Sequence, residues 1–368
     1  MKILIVQDHL RSGGTERQSV LLANAFATAG HRTTLLTFRP GGPLEPTVAF
    51  PAGRRTLQPF DLYLDWLAPG LRRAAARLAP DIALCMGRMA NCYAGSLQRH
   101  LPRAAVVATM RTGKSLPFLF RRSLHRVRHI VANSAEARDL LVSRHRLPAD
   151  KITVIHNSLV FPAGPDDGGA TPSSRTSLRT AHHATSATLV LLNVAMFRPE
   201  KNQRELIEIA ATLPPDLDWQ LWLAGDGPAR ADCERLAAAR GLADRVRFLG
   251  FLADPSSVYA AADIAVHTSS SESLSNFLIE AQAHGLPAVA YAAQGIRESF
   301  LPDRTGWSID RGDRPAFRDR LLALARDPAS VRTARADAAR AFARAEFDPT
   351  RQVAAYLDLF SRLVQPAP

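Results

Sequence analysis

The sequence predicts an α/β chain of two parallel-sheet domains, and three observations carry that expectation. A length of 368 residues suggests two domains. A strand–loop–helix–strand pattern occurs once in each half, at residues 2–38 and again at 264–291. Between the halves, Phe161 to Ala187 is rich in Pro, Gly, Asp, Ser and Thr and poor in apolar residues, the composition of a linker. The expected division is therefore 1–160, a linker at 161–187, a second domain at 188–348, and a terminal segment at 349–368.

Composition narrows the class. Hydrophobic residues make up 46% of the chain, which is globular rather than disordered. Cys85, Cys92 and Cys233 show no paired metal spacing, so a reducing compartment is expected and a zinc site is not. The first eight residues meet a charge too soon for a signal peptide, and no run approaches the roughly 18 apolar residues of a membrane span. The expected location is the cytoplasm, as a free or peripheral protein. Residues 1–160 hold 23 Lys+Arg against 9 Asp+Glu, or +14, while the remainder has 23 against 25, or −2. Such a field attracts a membrane surface, an acidic acceptor or nucleic acid. Aromatic content of 7% and the lack of a groove-reading motif argue against nucleic acid.

Lys2 to Gln7 reads as a strand, followed by Gly13 and Gly14, a helix from about Arg17 to Ala29, and a strand at Thr33 to Phe38. The glycine pair suits either a tight turn or close approach of a ligand to the backbone. A helix is expected near Leu67 to Leu78, then a strand at Pro80 to Cys85, a helix at Asn91 to His100 and a strand at Ala104 to Thr109. Leu116 to His129 interleaves Phe118, Leu119 and Phe120 with Arg121, Arg122 and Arg126. That segment fits a basic amphipathic helix on anionic lipid, or an ordinary helix with its apolar face in the core. Two more strands close the half, at His129 to Ser134 and Ile152 to Ser158, each ending in small polar residues.

The second half opens with a strand at Thr188 to Val194, and Lys201 stands beside the next helix start, where it would neutralise a diphosphate. Trp219 to Ala224 is a strand ending at Gly225, a helix follows from about Arg230 to Arg240, and Val246 leads to Gly250-Phe251. Asp216-Leu217-Asp218 has the acid spacing of a metal site, but it lies between a helix and a strand start and is read as a turn. Ile264 to His267 is a buried strand, Ser269 to Ser275 a polar loop, Asn276 to His284 a helix stopped by Gly285 and Pro287, and Ala288 to Tyr291 a strand. Thr350 to Leu363 has helical spacing.

The chemistry is expected on that polar loop. Free N–H groups around Ser273, Leu274, Ser275 and Asn276 would hold an anion such as phosphate. Glu272 precedes the helix and Glu280 lies on its second turn. An ideal helix separates eight residues by about 12 Å. The two acids therefore suit the two ends of a ligand with phosphate in its middle, which is the shape of a nucleotide-sugar. Glu272 and Glu280, followed by Ala281 and Gly285-Leu-Pro-Ala-Val, resemble the signature of retaining GT-B glycosyltransferases, a group that includes sucrose synthase, bacterial mannosyltransferases and lipopolysaccharide-core glucosyltransferases.

That resemblance implies two Rossmann-like domains facing a central cleft, with the last helix crossing back to the first domain. It implies Glu272 on the donor sugar, Glu280 on the ribose, Lys201 on the diphosphate, and Gly225 and Phe251 beside the nucleotide. Gly13 and Gly14 match the loop that faces the donor diphosphate and the acceptor. The family usually has an Arg where this chain has Met196, and Arg198 is the candidate replacement. The family often has a His after the strand at 104–109; here Arg111 or Lys114 takes that place on the acceptor side. No metal and no other cofactor is expected. The implied reaction moves a sugar from a nucleotide-diphosphate-sugar to a hydroxyl acceptor, in particular a glycolipid or polysaccharide intermediate of lipopolysaccharide-type envelope assembly. The alternatives are a soluble metabolite acceptor, or a phosphorylase or nucleotide-sugar epimerase of the same fold. Residues 116–129 are the expected contact with an anionic membrane.

Overall fold

The computed structural model describes residues 1–11, 13–49, 53–159, 161 and 172–364. The chain forms two compact units, Met1–Ser158 with Pro349–Pro368, and Leu159–Asp348.

Unit 1 has a parallel sheet of seven strands: β1 (Lys2–Gln7), β2 (Arg32–Thr37), β3 (Arg54–Thr56), β4 (Ile82–Cys85), β5 (Ala105–Met110), β6 (His129–Ala132) and β7 (Ile152–Val154). Their order is β3-β2-β1-β4-β5-β6-β7. The connecting helices are α1 (Gly14–Thr28), α2 (Leu71–Leu78), α3 (Arg88–His100), α4 (Phe118–Arg126) and α5 (Ala135–His145). Both faces of the sheet are covered, so alternate residues of each strand enter different cores. Leu4, Val6, Ala83, Cys85 and Val106 pack with α3 and α4. Ile3, Ile5, Ile82, Leu84 and Val107 pack with Val20, Leu22 and Phe26 of α1.

Unit 2 begins with α6 (Pro172–Ala181) and continues β8 (Leu189–Val194), α7 (Gln203–Ala210), β9 (Trp219–Ala224), α8 (Arg230–Ala239), β10 (Val246–Gly250) and α9 (Ser256–Ala261). Then come β11 (Ile264–His267), α10 (Asn276–Ala283), β12 (Ala288–Tyr291), β13 (Gly306–Ile309), α11 (Arg314–Ala325) and α12 (Ala329–Glu346). The parallel sheet has the order β10-β9-β8-β11-β12-β13, the Rossmann arrangement. The last helix, α13 (Pro349–Val364), belongs to unit 1, where Tyr356, Leu359 and Phe360 pack with Phe26.

The structure corrects the sequence reading in four places. The expected linker contains α6, which is fixed mainly by polar contacts that no apolar stripe reveals. Arg175 donates to the carbonyls of Ala260 (2.6 Å) and Ala262 (3.0 Å) and to Asp263 (2.6 Å), and Arg179 donates to Ala261 (2.8 Å). Helix α1 starts at Gly14 instead of Arg17, so the glycine pair forms the helix entry. The short edge strand β3 carries too few residues, and too many arginines, to show a period. Helix α4 divides its apolar residues: Phe120 and Leu124 enter the core, while Phe118 and Leu119 remain exposed. Among the described residues no helix is long and apolar enough to cross a membrane.

Candidate active site

In unit 2 the chain winds outward one way from β8 and the other way from β11, so their carboxyl ends border the crevice where α/β sheets bind ligands. Lys201 follows β8 and Glu272 follows β11. Lys201 Nζ lies 2.5 Å from Glu272 Oε1, and His267 Nε2, on the last residue of β11, lies 2.9 Å from the same oxygen. Both donors share Oε1, and Oε2 has no hydrogen-bond partner among the described residues. Burial would raise the Glu272 pKa, but Lys201 and His267 outweigh it and hold the carboxyl at about 2. The two loops are laced by backbone acceptors. Thr268 Oγ1 donates to Asn202 O (2.9 Å), Ser269 Oγ to Glu200 O (3.0 Å), and the Ser270 N–H to Glu200 O (2.8 Å).

Beside this pair, α10 presents its N-terminus. Ser275 caps it by accepting from the Leu278 N–H at 3.4 Å. The Leu274 side chain packs with Leu159, Ile279 and Phe347, so only its backbone is available to a ligand. Gln294 Nε2 donates to Ser273 Oγ (3.3 Å). Gly295 has φ +73°, and a Cβ there would stand 1.8 Å from the Ser273 carbonyl oxygen. The helix entry is thus braced from behind by backbone contact. Glu280, on the second turn, accepts from Tyr259 OH at 2.7 Å.

The loop after β8 is clamped by the Gly225–Gly227 turn. A Cβ on Gly225 (φ +136°) would meet the Ala195 carbonyl oxygen at 2.0 Å, and the Phe197 N–H donates to Asp226 O at 2.9 Å. Gly225 therefore acts by setting this loop's position. Met196 and Phe251 are exposed. Arg198 is half-buried and makes no side-chain hydrogen bond or ion pair among the described residues.

Unit 1 treats its own crevice differently. Asp8, after β1, accepts from the Met89 N–H (2.9 Å) and the Ala90 N–H (2.6 Å), so the chain's own carboxyl fills the α3 N-terminus. Burial pushes its pKa up to about 7 against the pull of those two donors. Gly13 is the N-cap of α1 with an ordinary negative φ. Arg111 is engaged within unit 1, donating to Asn157 Oδ1 (2.5 Å) and Tyr356 OH (2.8 Å), so it holds α13 in place. Lys114 is exposed. A cavity of about 530 Å³, lined in part by Lys2, His31, Arg32, Arg55 and Arg77, opens at the amino ends of β1 and β2. That is the opposite sheet edge from a ligand crevice. Among the described residues no three His, Cys, Asp or Glu side chains gather as a metal site.

The sequence reading placed Lys201 and Glu272 in one site without foreseeing their contact. It missed His267 and Tyr259. His267 reads as the end of an apolar strand; its signal was a histidine at a strand's carboxyl end, five residues before the acid.

Residues 174–342 match the family model for Glycosyl transferases group 1, and residues 12–159 match that for Glycosyltransferase Family 4. The chain is 32% identical over 172 residues to the lipopolysaccharide core biosynthesis glycosyltransferase LpsE of Rhizobium meliloti, covering 47% of this chain and 49% of that protein. It is 28% identical over 152 residues to N-acetyl-alpha-D-glucosaminyl L-malate synthase of Bacillus anthracis, covering 41% of this chain and 40% of that protein. The chain thus spans about half or less of these relatives' length. The Anabaena protein HepE, whose crystal structure contains UDP, superposes with a TM-score of 0.82 at 22% identity, over 98% of this chain and all of that one. The match of both units to these models, on two Rossmann-like parallel sheets, shows that the chain belongs to the family-4-like GT-B glycosyltransferases.

Proposed function

We propose that this protein transfers a glycosyl group, with retention, from a nucleotide-diphosphate-sugar to a hydroxyl acceptor. The observation that carries the reading is the Lys201–Glu272–His267 cluster at the crevice, with the α10 N-terminus and Glu280 beside it. Lys201 and the backbone N–H groups of the α10 entry at Ser273 to Asn276 would take the diphosphate, Arg198 would add a second cation, and Glu280 would take the ribose. Phe251 would border the base. Glu272 is tied by two donors on one oxygen, which suits it to hold sugar hydroxyls through Oε2 and makes it a poor nucleophile. Retention then follows from front-face attack, with the leaving diphosphate accepting the acceptor proton. The reading uses no metal. HepE structures also hold UDP-glucose, and that likeness supports a nucleotide-sugar donor here.

The acceptor we propose is a glycolipid or polysaccharide intermediate of lipopolysaccharide-type assembly, met at the cytoplasmic face of an anionic membrane. The likeness to LpsE and the +14 balance of residues 1–160 support it. Lys114 would serve the acceptor side. The likeness to the malate-linked synthase favours a soluble acceptor as the second reading. Calorimetry with UDP-, GDP- and ADP-sugars, then turnover with the donor that binds, tests the reaction. Binding and slow hydrolysis of one such donor are expected, with the hydrolysis about 10²–10³-fold slower in Lys201→Ala. No binding of any nucleotide-sugar overturns it.

A further inference from the structure

Unit 1 exposes a concentrated apolar surface to which the proposed reaction assigns no role. Of the nine exposed large hydrophobic residues among the described ones, Phe60, Leu62, Tyr63 and Trp66 lie on one loop, and Phe118 and Leu119 open α4. The loop follows β3 and α4 follows β5, so both leave the carboxyl edge of the sheet. Both also flank α3. Tyr93 OH donates to Trp66 O (2.6 Å), and Ser123 Oγ donates to Cys92 O (2.9 Å).

The loop is built to hold these side chains out. Buried Arg39 forks onto Asp61 (2.7 and 2.8 Å), reaches Asp65 (2.6 Å) and lies 5.1 Å from the Tyr63 ring centroid. Gln58 donates to the carbonyls of Leu64 (2.9 Å) and Leu67 (2.7 Å). Arg11 takes Asp65 from outside at 2.6 Å. Both loop acids are thereby neutralised. The α4 face is basic: Arg121, Arg122 and Arg126 are exposed and make no ion pair among the described residues. Rigid aromatic side chains beside unpaired arginines match the boundary between headgroups and acyl chains. A second copy of the chain is a poor partner, because it would bring the same cations against these.

We propose that the Phe60–Trp66 loop inserts into an anionic lipid bilayer, with Arg121, Arg122 and Arg126 of α4 supplying the charge contact. This deepens the membrane-bound acceptor reading, and it moves the apolar contact from the 116–129 segment alone to a loop the sequence did not single out.

Trp66 is the natural probe, since the chain's other three tryptophans, Trp219, Trp222 and Trp307, are buried. Emission is recorded with phosphatidylcholine vesicles, with and without phosphatidylglycerol, and with acyl-brominated lipid. A blue shift and bromine quenching are expected only with phosphatidylglycerol. Phe60→Ser with Tyr63→Ser should weaken vesicle sedimentation by about tenfold or more, the worth of one buried aromatic. Arg121→Glu with Arg122→Glu should weaken it at low salt. Sedimentation without any Trp66 response, a response that grows with protein concentration in the absence of lipid, or no sedimentation each overturns the proposal. Nucleotide-sugar calorimetry without vesicles separates the two readings. Donor binding with no lipid contact leaves the transferase standing, and lipid contact with no donor binding removes the transferase.

Discussion

Glu272 receives a lysine and a histidine on one carboxylate oxygen, and the consequences belong to single residues. Lys201→Ala should lower turnover about 10²–10³-fold at saturating donor, the usual effect of losing one preorganised donor at a developing charge. His267 acts through Glu272 and is a positioning residue. His267→Leu should lower kcat with little change in nucleotide affinity, and His267→Gln, which keeps an N–H donor, should recover part of it. Equal loss in both variants would reduce His267 to packing. Glu280→Ala should weaken UDP or its counterpart by roughly 2–4 kcal/mol in calorimetry, through lost charge-assisted hydrogen bonds. The types and spacing of Lys201, Glu272 and Glu280 were legible in the sequence because each stands at a helix start or on its second turn. Tyr259 was not, since its contact with Glu280 joins two helices. Arg111 looked like an acceptor-side cation, and its partner Tyr356 lies 245 residues away. A titration belongs to this scale too. The Asp8 pKa is raised from 3.8 to about 7, so the native state binds the extra proton. Its contribution to stability is complete below the unfolded value and is lost as pH rises through 7. Melting temperature should therefore fall as pH rises from about 4 to 7, and Asp8→Asn should flatten that slope.

At the scale of elements, the site depends on loops that touch backbone to backbone. The 294–295 turn presses on the entry to α10, and the 225–227 turn presses on the loop that carries Lys201. Gly295→Ala would place a methyl 1.8 Å from a carbonyl oxygen at a positive φ, so the Ser273 backbone has to move. A stability loss of about 1–3 kcal/mol is expected from overpacking and strain, together with weaker nucleotide binding. A variant that melts lower yet binds like the parent would show that the α10 entry is not the anion site. Strands and helices with clean periods, such as β1, β11 and α10, were legible because both faces are buried or a cap and a glycine bound them. Helix α6 was not. Its anchors are arginines that reach the carbonyls of Ala260 to Ala262, and such contacts leave no hydrophobic pattern.

At the scale of the molecule, unit 1 is not continuous in sequence, because its core is closed by the last helix of the chain. Tyr356 and Phe360 are fully buried, with ring centroids 6.1 and 5.6 Å from Phe26 of α1. Three polar contacts add to that packing. Gln352 donates to His156 O (2.7 Å) and Gln18 Oε1 (3.0 Å), and Ser158 Oγ donates to Gln352 Oε1 (2.7 Å). The α13 anchor therefore sits on α1 and β5, although unit 2 intervenes in the chain. Phe360→Ala should remove about 3–5 kcal/mol, the range for emptying a buried aromatic site. The loss should fall on unit 1. Hydrogen exchange measured by mass spectrometry would show it: peptides from Lys2–Gln7 and Gly14–Thr28 should lose protection, while those from β8 to β13 keep theirs. Loss of protection confined to residues 349–364 would mean that α13 is an appendage. Loss spread evenly over both sheets would mean that the two units unfold as one.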